Sequence, residues 1–359
     1  MFLETNWLLR VERRCSICGI AGYIGTSNDP SLTHKIISNL LLNLEIRGKD
    51  ATGFWGANKN NKILYHKEPT RSSLFINKPI WKNIEHLNPN ILLCHAREAS
   101  SAYGLPINNK NNHPFVNDDL SVGLIHNGKI PPNLYKNIKT KYKTFSNCDS
   151  EIFLRVFQSK RKNSDIENTI EAINYIWSLL NESFMSVAVG EIIGEKRRLW
   201  LFRNEHRPNY CVEVISLGQL FFVSTPDIWY KSIENIKVNY EVSEIPVGEI
   251  WLLDSYLNVE KYPASSDISC ELDESFEFNY PNINENTYTN LDSNEEPKDL
   301  YHNRIEEIKS ICSDILINIE EIEGSLELDL NFNGDVIDNL NFANNYILGI
   351  LKNIKNKLC

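Results

Sequence analysis

A cysteine placed directly before a glycine and a short apolar stretch is the residue of this chain best suited to chemistry. Residues 18–25 read CGIAGYIG, and Cys18 is the first of them. The β-branched and small residues after it predict a buried β-strand, so the thiol would lie at the start of that strand. Gly19 lets the backbone come close to a substrate because it carries no side chain. The pattern is typical of a nucleophile.

A cysteine that hydrolyses an amide needs a base, an oxyanion hole and groups that hold the substrate. If Cys18 becomes the first residue, its own α-amino group supplies the base, with an unperturbed pKa of about 7.7–8.0. Seventeen residues precede Cys18. This mechanism therefore predicts that residues 1–17 are a leader that is removed, or that the translation start is misassigned.

Polar residues follow two further apolar runs, and a third group begins a predicted helix. Arg97 lies two residues after His95 at the end of one predicted strand, and it is suited to bind a carboxylate bidentately. Asn127 and Gly128 end another predicted strand, where an amide and a backbone N–H can form an oxyanion hole. Asp149 could accept from a substrate ammonium. Together these groups predict a site for an α-amino acid with a side-chain amide, and glutamine fits that description.

The order of these motifs resembles that of the class II glutamine amidotransferase domain, a member of the N-terminal-nucleophile hydrolase superfamily. The resemblance covers about residues 18–225. The matching segments are CGI at 18–20, RG at 47–48 with Asp50 and Gly53, HAR at 95–97, NHPF at 112–115, HNG at 126–128 and DSE at 149–151. Each segment is common alone, whereas six of them in order are a specific pattern.

The resemblance implies a fold and a role for each matched residue. The implied fold is α+β, a four-layer αββα sandwich. Cys18 would be the nucleophile that forms a γ-glutamyl thioester and releases ammonia. Arg97 would bind the α-carboxylate of glutamine, and Asp149 would bind its α-ammonium. Asn127 and Gly128 would form the oxyanion hole, and Arg47 would belong to the loop that organises the nucleophile.

The elements that must position these residues are many short strands and a few helices, which predict a layered α+β domain over residues 18–260. We expect a helix over residues 31–46 with Ser31 as its N-cap, and a strand that begins at Phe54. Residues 261–299 are rich in Ser, Asn, Asp and Glu and predict an acidic flexible linker. Residues 300–359 carry isoleucine and leucine at helical spacing, which predicts helices that dock a partner or form a homo-oligomer.

The composition excludes several classes of protein. The formal net charge of −10 and the pI of about 5.4 leave no basic excess for a general nucleic-acid binder. No apolar run is long enough to span a bilayer, and in the first residues the positive charge follows the apolar stretch, unlike a secretory signal. The eight cysteines are scattered, which favours reduced thiols and a cytoplasmic location. No residues have the spacing of a metal site, and no cofactor is predicted.

The leading hypothesis is a glutaminase subunit that hydrolyses L-glutamine to glutamate and ammonia. Only a linker and helices are predicted after residue 260, so the ammonia acceptor would be activated by another polypeptide, a synthase or an ATP-dependent enzyme. Two other functions stay open. One is a stand-alone amide hydrolase for a different amide, and the other is a non-catalytic scaffold that keeps the fold and its leader.

Simpler interpretations of single residues stay open as well. His95 and His126 could be structural, since the mechanism uses neither directly. Arg47 could pair with Asp50 across a loop, and Asp149 could only cap a helix. Residues 15–18 read CSIC, a spacing that also occurs in redox-active pairs and in half of a zinc site.

Overall fold

Two antiparallel sheets lie face to face between two layers of helices. The structure, a computed structural model, describes residues 18–265. The strands are β1 Gly19–Ile24, β2 Ala51–Ala57, β3 Ile63–Glu68, β4 Ile91–Arg97, β5 Phe115–Val116, β6 Val122–Lys129, β7 Phe184–Ile193, β8 Lys196–Arg203, β9 Tyr210–Val214, β10 Gln219–Val223, β11 Glu241–Glu244, β12 Glu249–Asp254 and β13 Val259–Pro263. The helices are α1 Pro30–Leu44, α2 Ser72–Phe75, α3 Pro79–Leu87, α4 Pro132–Lys139, α5 Glu151–Lys160, α6 Ile166–Leu180 and α7 Pro226–Ser232.

The strand order places β1 in the middle of one sheet and β6 near one side of the other. The first sheet has the order β11-β9-β10-β1-β4-β2-β3, and the second has the order β13-β12-β8-β7-β6-β5. One apolar core lies between the two sheets. A second core joins α1, α3 and α7 to the first sheet, and a third joins α4, α5 and α6 to the second. The predicted α+β, four-layer αββα architecture is confirmed.

The first helix differs from the prediction at its N-terminus. Its N-cap is Asp29, whose side chain accepts from the backbone N–H of Leu32 at 3.0 Å, and not Ser31. Pro30 accounts for the difference, because proline has no N–H to satisfy and suits the first helical position. The buried face of the helix includes Ile36, Leu40 and Leu44, and these side chains pack on the first sheet.

Two strands run beyond their predicted limits. The strand expected from Phe54 begins three residues earlier, because Ala51 already pairs with Arg97 across β2 and β4. At the other end of the domain β13 continues to Pro263, past the boundary predicted at residue 260. The predicted leader, the linker beyond residue 265 and the C-terminal helices lie outside the described residues.

Candidate functional site

The predicted nucleophile and two of its predicted partners lie at one end of the space between the sheets. Ile20, Leu93 and Ile125 belong to the apolar core between the sheets. Side chains alternate along a strand, so Cys18 and Asn127 continue the inward-facing positions of β1 and β6, as Arg97 does at the end of β4. Gly19 pairs with Ala96, and the start of β1 therefore adjoins the end of β4.

The backbone of Cys18 is held by two of the predicted residues. Arg47 donates from Nε to the Cys18 carbonyl at 3.1 Å. The Asn127 amide, oriented so that both of its polar atoms are satisfied, donates to the same carbonyl at 2.9 Å and accepts from Arg47 at 3.3 Å. An amide nitrogen carries two hydrogens, so this bond leaves Asn127 a second donor. The Asp50 carboxylate accepts from the Ala99 N–H at 2.7 Å, so it also contacts the segment that follows Arg97.

The charges around the Cys18 thiol oppose one another. Burial raises the pKa of the thiol, and the Asp149 carboxylate raises it further. The guanidinium groups of Arg97 and Arg47 lower it, as does the contact of Sγ with the Glu98 carbonyl at 3.7 Å. All three charged residues predicted for the site thus act electrostatically on the sulfur.

Gly128 presents its backbone N–H at the edge of β6 that is not paired with β7. It lies opposite Met185 of β7. Both backbone groups of Met185 bond to Asn204 instead, at 3.1 and 3.0 Å. Gly128 and Met185 are therefore a pair without mutual hydrogen bonds, and the Gly128 N–H points away from β7. A side chain is excluded here, because a Cβ on Gly128 would lie 1.7 Å from the Phe184 carbonyl oxygen.

Asp149 binds the backbone at Ile130, two residues after Gly128 and on the same side of the strand. Its carboxylate accepts from the Ile130 N–H at 2.7 Å, and the side chain is buried. Burial raises the pKa of Asp149 to about 6, while the Ile130 bond opposes the shift. The carboxylate is thus ionised at neutral pH. At about 3.3 Å per residue, the N–H groups of Gly128 and Ile130 are about 6.6 Å apart. The N-cap of α5 is Ser150, whose side chain makes no capping bond, and a hydrogen bond from the Ser150 backbone lowers the pKa of Asp149.

Arg97 is buried in a set of carbonyl groups that orient its guanidinium. It donates to Asn112 Oδ1 at 2.8 Å and to the carbonyls of Gly104 and Tyr103 at 3.0 and 3.4 Å. These bonds use only part of the five donors of the group. The role of Asn112 was not predicted, although it opens the matched NHPF segment.

Lys67 supports the Asn112 segment, and nothing in the sequence singled it out. Its Nζ donates to the Asn112 carbonyl at 2.6 Å and to the Pro114 carbonyl at 3.2 Å, so it holds the backbone that carries the Arg97 acceptor. Burial lowers the pKa of Lys67 to about 8. The residue is part of β3, a strand that the sequence analysis did not predict.

Three buried histidines surround the site in neutral form. Burial lowers the pKa of His95 and of His126 to about 3, and it lowers the pKa of His113 well below its ordinary value. A general base should have a pKa near working pH, so these imidazoles are poorly matched to that task. The structural interpretation of His95 and His126 is the better one: the His95 ring nitrogen bonds to the His126 carbonyl at 3.2 Å.

His126 connects β6 to the start of α5. Its Nε2 contacts the Phe184 carbonyl at 3.1 Å, and its Nδ1 contacts Ser150 Oγ at 2.8 Å. A carbonyl only accepts, so Nε2 carries the hydrogen and Nδ1 accepts from the Ser150 hydroxyl. The imidazole therefore ties β6, two residues before Gly128, to Ser150, the residue after Asp149.

The described residues contain neither a candidate metal site nor a membrane-spanning helix. Within residues 18–265, no three His, Cys, Asp or Glu side chains are grouped so that they could hold a metal ion. Over the same residues, no helix has the length and apolar character needed to cross a membrane.

The fold is that of the N-terminal-nucleophile amidotransferases, as the motifs predicted. Glutamine phosphoribosylpyrophosphate amidotransferase from B. subtilis is 16% identical, with a TM-score of 0.49 over 70% of this chain and 50% of its own. A structure described as the allosteric regulatory enzyme of purine biosynthesis is 14% identical, with a TM-score of 0.50 over the same shares. A glutamine aminotransferase class-II domain protein from Silicibacter pomeroyi is 13% identical, with a TM-score of 0.44 over 68% of this chain and 99% of its own.

The likeness with a TM-score of 0.50 shows the fold and not the reaction. The chain spans about half the length of the first two proteins. No family model and no curated protein matches it.

Proposed function

We propose that this protein is a glutaminase that hydrolyses L-glutamine to glutamate and ammonia through a thioester on Cys18. The observation that carries the proposal is the shared carbonyl of Cys18, bound by Arg47 and Asn127. Through that contact Cys18 adjoins β6, whose outer edge has the Gly128 N–H and the Asp149 carboxylate bound at Ile130. Such a constellation can bind an α-amino acid and an oxyanion together.

The substrate fits between the two groups on the β6 edge. The Gly128 N–H faces the amide carbonyl oxygen of the glutamine, and the α-amine lies further along the same strand edge. The α-ammonium then meets the Asp149 carboxylate, which accepts from Ile130. The α-carboxylate takes the remaining donors of Arg97. A different amide without the two charges would leave both buried groups unpaired, which disfavours the alternative amide hydrolase.

The chemistry follows from these positions. The sulfur attacks the side-chain amide carbon, and the carbonyl oxygen takes up charge between the second hydrogen of the Asn127 amide and the Gly128 N–H. The proton from the thiol passes through the α-amine of Cys18 to the leaving nitrogen, which departs as ammonia. Water then cleaves the thioester and releases glutamate.

The proposal includes removal of residues 1–17 and a separate acceptor. A base with a pKa near 8 is required, and the α-amine of a terminal Cys18 has it. The neutral histidines of the site support this assignment. Ammonia would pass to a separate acceptor-activating enzyme, a synthase or an ATP-dependent one, and residues 300–359 are proposed to dock it or to form a homo-oligomer. A cytoplasmic location stays a prediction.

Glutamate release by the purified protein tests the reaction. Cys18→Ala should abolish it, whereas Cys211→Ala, which removes another buried thiol, should retain it. A glutamine analogue with an electrophilic carbon at the amide position should add its mass to Cys18 in the parent and in Cys211→Ala only. Glutamate release by Cys18→Ala at the parental rate would refute the mechanism.

Intact-mass measurement of the active protein tests the leader. The expected mass is that of a chain beginning at Cys18. Active material that begins at Met1 would require another base. A full-length chain without activity, which becomes active once residues 1–17 are removed by a protease site placed before Cys18, would support the α-amine. If both forms are inactive and neither binds glutamine, the scaffold is the better description.

A further inference from the structure

The charge of this chain is divided unevenly between its described and remaining parts. Residues 18–265 contain 28 Lys and Arg against 25 Asp and Glu, whereas residues 266–359 contain 6 against 20. The acidic net charge of the chain therefore does not belong to the sandwich. It belongs to the sequence that follows. Residues 267–277, which come directly after the described residues, hold five acidic residues and no Lys or Arg, as residues 320–329 also do.

The sandwich carries a complementary basic surface. Residues 129–143 contain five lysines and no Asp or Glu. We define the α4 lysine surface as Lys129, Lys136, Lys139 and Lys143. Three of these side chains are exposed, and Lys139 is half-buried with its Nζ 5.2 Å from the centroid of the Tyr135 ring. Four lysines within 15 residues, with no acidic residue among them, create a positive local potential that attracts an acidic chain.

This surface borders the candidate glutamine site. The Lys129 ammonium lies 5.4 Å from the centroid of the Tyr103 ring, and the carbonyl of Tyr103 is one of the acceptors of Arg97. The hydroxyl of Tyr103 donates to the Ile130 carbonyl at 2.6 Å, and the Ile130 N–H binds Asp149. A segment bound to the α4 lysine surface would therefore lie at the rim of the site.

The described chain ends at the same end of the second sheet. The register pairs His126 with Val187, Val187 with Phe202, Phe202 with Ile250, and Ile250 with Tyr262. Tyr262 is thus level with His126, four strand spacings or about 19 Å away. Because every pair is antiparallel, β13 and β6 run in the same direction and their C-terminal ends share one edge of the sheet.

The last described residue also lies on the helical layer that contains α4. The Ser265 N–H donates to Asn174 Oδ1 at 2.9 Å, and its carbonyl accepts from Ser178 Oγ at 3.3 Å, both on α6. Buried Ile138 of α4 and the side chains of α6 share one apolar core. From Ser265, six to twelve residues can span up to about 20–40 Å at about 3.3 Å each. Residues 271–277 can therefore reach the lysines.

We infer that residues 267–277 bind the α4 lysine surface of the same chain and lie beside the Tyr103–Ile130 contact. A short tether gives the segment an effective concentration in the millimolar range, so modest electrostatic attraction suffices. The attraction weakens with salt, because the Debye length falls from about 10 Å at 0.1 M to about 3 Å at 1 M. This inference does not depend on the proposed function.

Zero-length carbodiimide cross-linking of the full chain, read by mass spectrometry, tests it. At low salt we expect cross-links from residues 267–277 to Lys129, Lys136, Lys139 or Lys143. Their yield should fall at least about tenfold at 1 M salt, where the charges are screened. A mixture of isotopically light and heavy chains should give cross-links within one chain only.

Matched variants of the full chain complete the test. The triple variant Lys129→Glu, Lys136→Glu, Lys143→Glu should lose the cross-links. The control Lys35→Glu, Lys82→Glu alters exposed lysines of α1 and α3 on the opposite layer, and it should keep them.

A charge swap keeps the inference falsifiable if the triple variant misfolds. Substituting Lys for Glu271, Asp273 and Glu274 in the triple variant should restore salt-sensitive cross-links between the two regions. Cross-links that form mainly between chains, that fall on Lys162 or on Lys35 and Lys82, or that resist 1 M salt would overturn the inference. An absence of cross-links at low salt in the parent would overturn it as well.

Discussion

Asp149→Asn should stabilise the fold at neutral pH and weaken glutamine binding, two effects with opposite signs. Burial raises the pKa of Asp149 from its ordinary value of 3.8 to about 6. Two pKa units correspond to about 3 kcal/mol. The pKa of Asp149 is higher in the folded protein than in the unfolded chain, so its protonated form stabilises the fold. This stabilisation is complete below the pKa of the unfolded chain and is lost as the pH rises through the pKa of the folded protein.

The stability effect of the substitution therefore depends on pH. At pH 8 the buried carboxylate is ionised and costs the folded state up to about 3 kcal/mol. Asparagine removes that charge and keeps an oxygen that can accept from Ile130. We expect the free energy of unfolding to rise by about 1–3 kcal/mol at pH 8 and to be unchanged below pH 4, measured by urea denaturation.

The binding effect follows from the lost charge. A hydrogen bond to a charged group is worth about 1.5–3 kcal/mol, so loss of the bond to the α-ammonium should raise the KM for glutamine about 10- to 150-fold. The turnover number should change much less, since the oxyanion donors are intact. For the same reason the KM of the parent protein should rise as the pH falls through about 6.

A matched carboxylate provides the control for both measurements. Asp165 is exposed at the start of α6 and makes no side-chain capping bond there. Asp165→Asn should leave the KM and the pH dependence of stability at parental values. An Asp149→Asn protein that is less stable than the parent at pH 8, or whose KM is the same as that of the parent, would refute the placement of an ionised buried carboxylate in the glutamine site.

Three further substitutions test separate contacts. Gly128→Ala should lower the turnover number for glutamate release at least about 100-fold, because the added methyl would displace the oxyanion strand; a parental rate would contradict this role. Lys67→Met should raise the KM for glutamine about 3- to 10-fold by loosening the Asn112 segment, and a change confined to the turnover number would contradict it. His126→Asn should lower the free energy of unfolding by about 1–3 kcal/mol, because it removes the buried bonds of the imidazole to the Phe184 carbonyl and to Ser150; unchanged urea denaturation would show that these bonds contribute little.

Elements with a strong apolar period were predictable from the sequence. The helix predicted over residues 31–46 is α1, Pro30–Leu44, and the strand predicted over residues 18–25 is β1, Gly19–Ile24. The α4 helix was not predicted. It begins at the second of two prolines and has only eight residues, so its apolar residues Leu134, Tyr135 and Ile138 cover little more than one turn.

The side chains of the site were more predictable than the bonds that hold them. The order of the motifs indicated that Cys18, Arg47 and Asn127 would meet. In the structure, Arg47 and Asn127 both donate to the Cys18 carbonyl. The bond from the Ile130 N–H to Asp149 left no trace in the sequence. Any residue other than proline supplies a backbone N–H, so the identity of Ile130 says nothing about its partner.

The geometry of the site depends on the shortness of β5. This strand has two residues, Phe115 and Val116, and they pair only with Leu124 and Gly123. The rest of that edge of β6 keeps its backbone groups for other partners: the His126 carbonyl binds His95, the Ile130 N–H binds Asp149, and the Gly128 N–H between them points in the same direction. A longer β5 would pair with these groups in a regular ladder. The Gly128 N–H and the Ile130 N–H are thus available to other partners because β5 stops early, and the repeat of the strand sets the spacing between them.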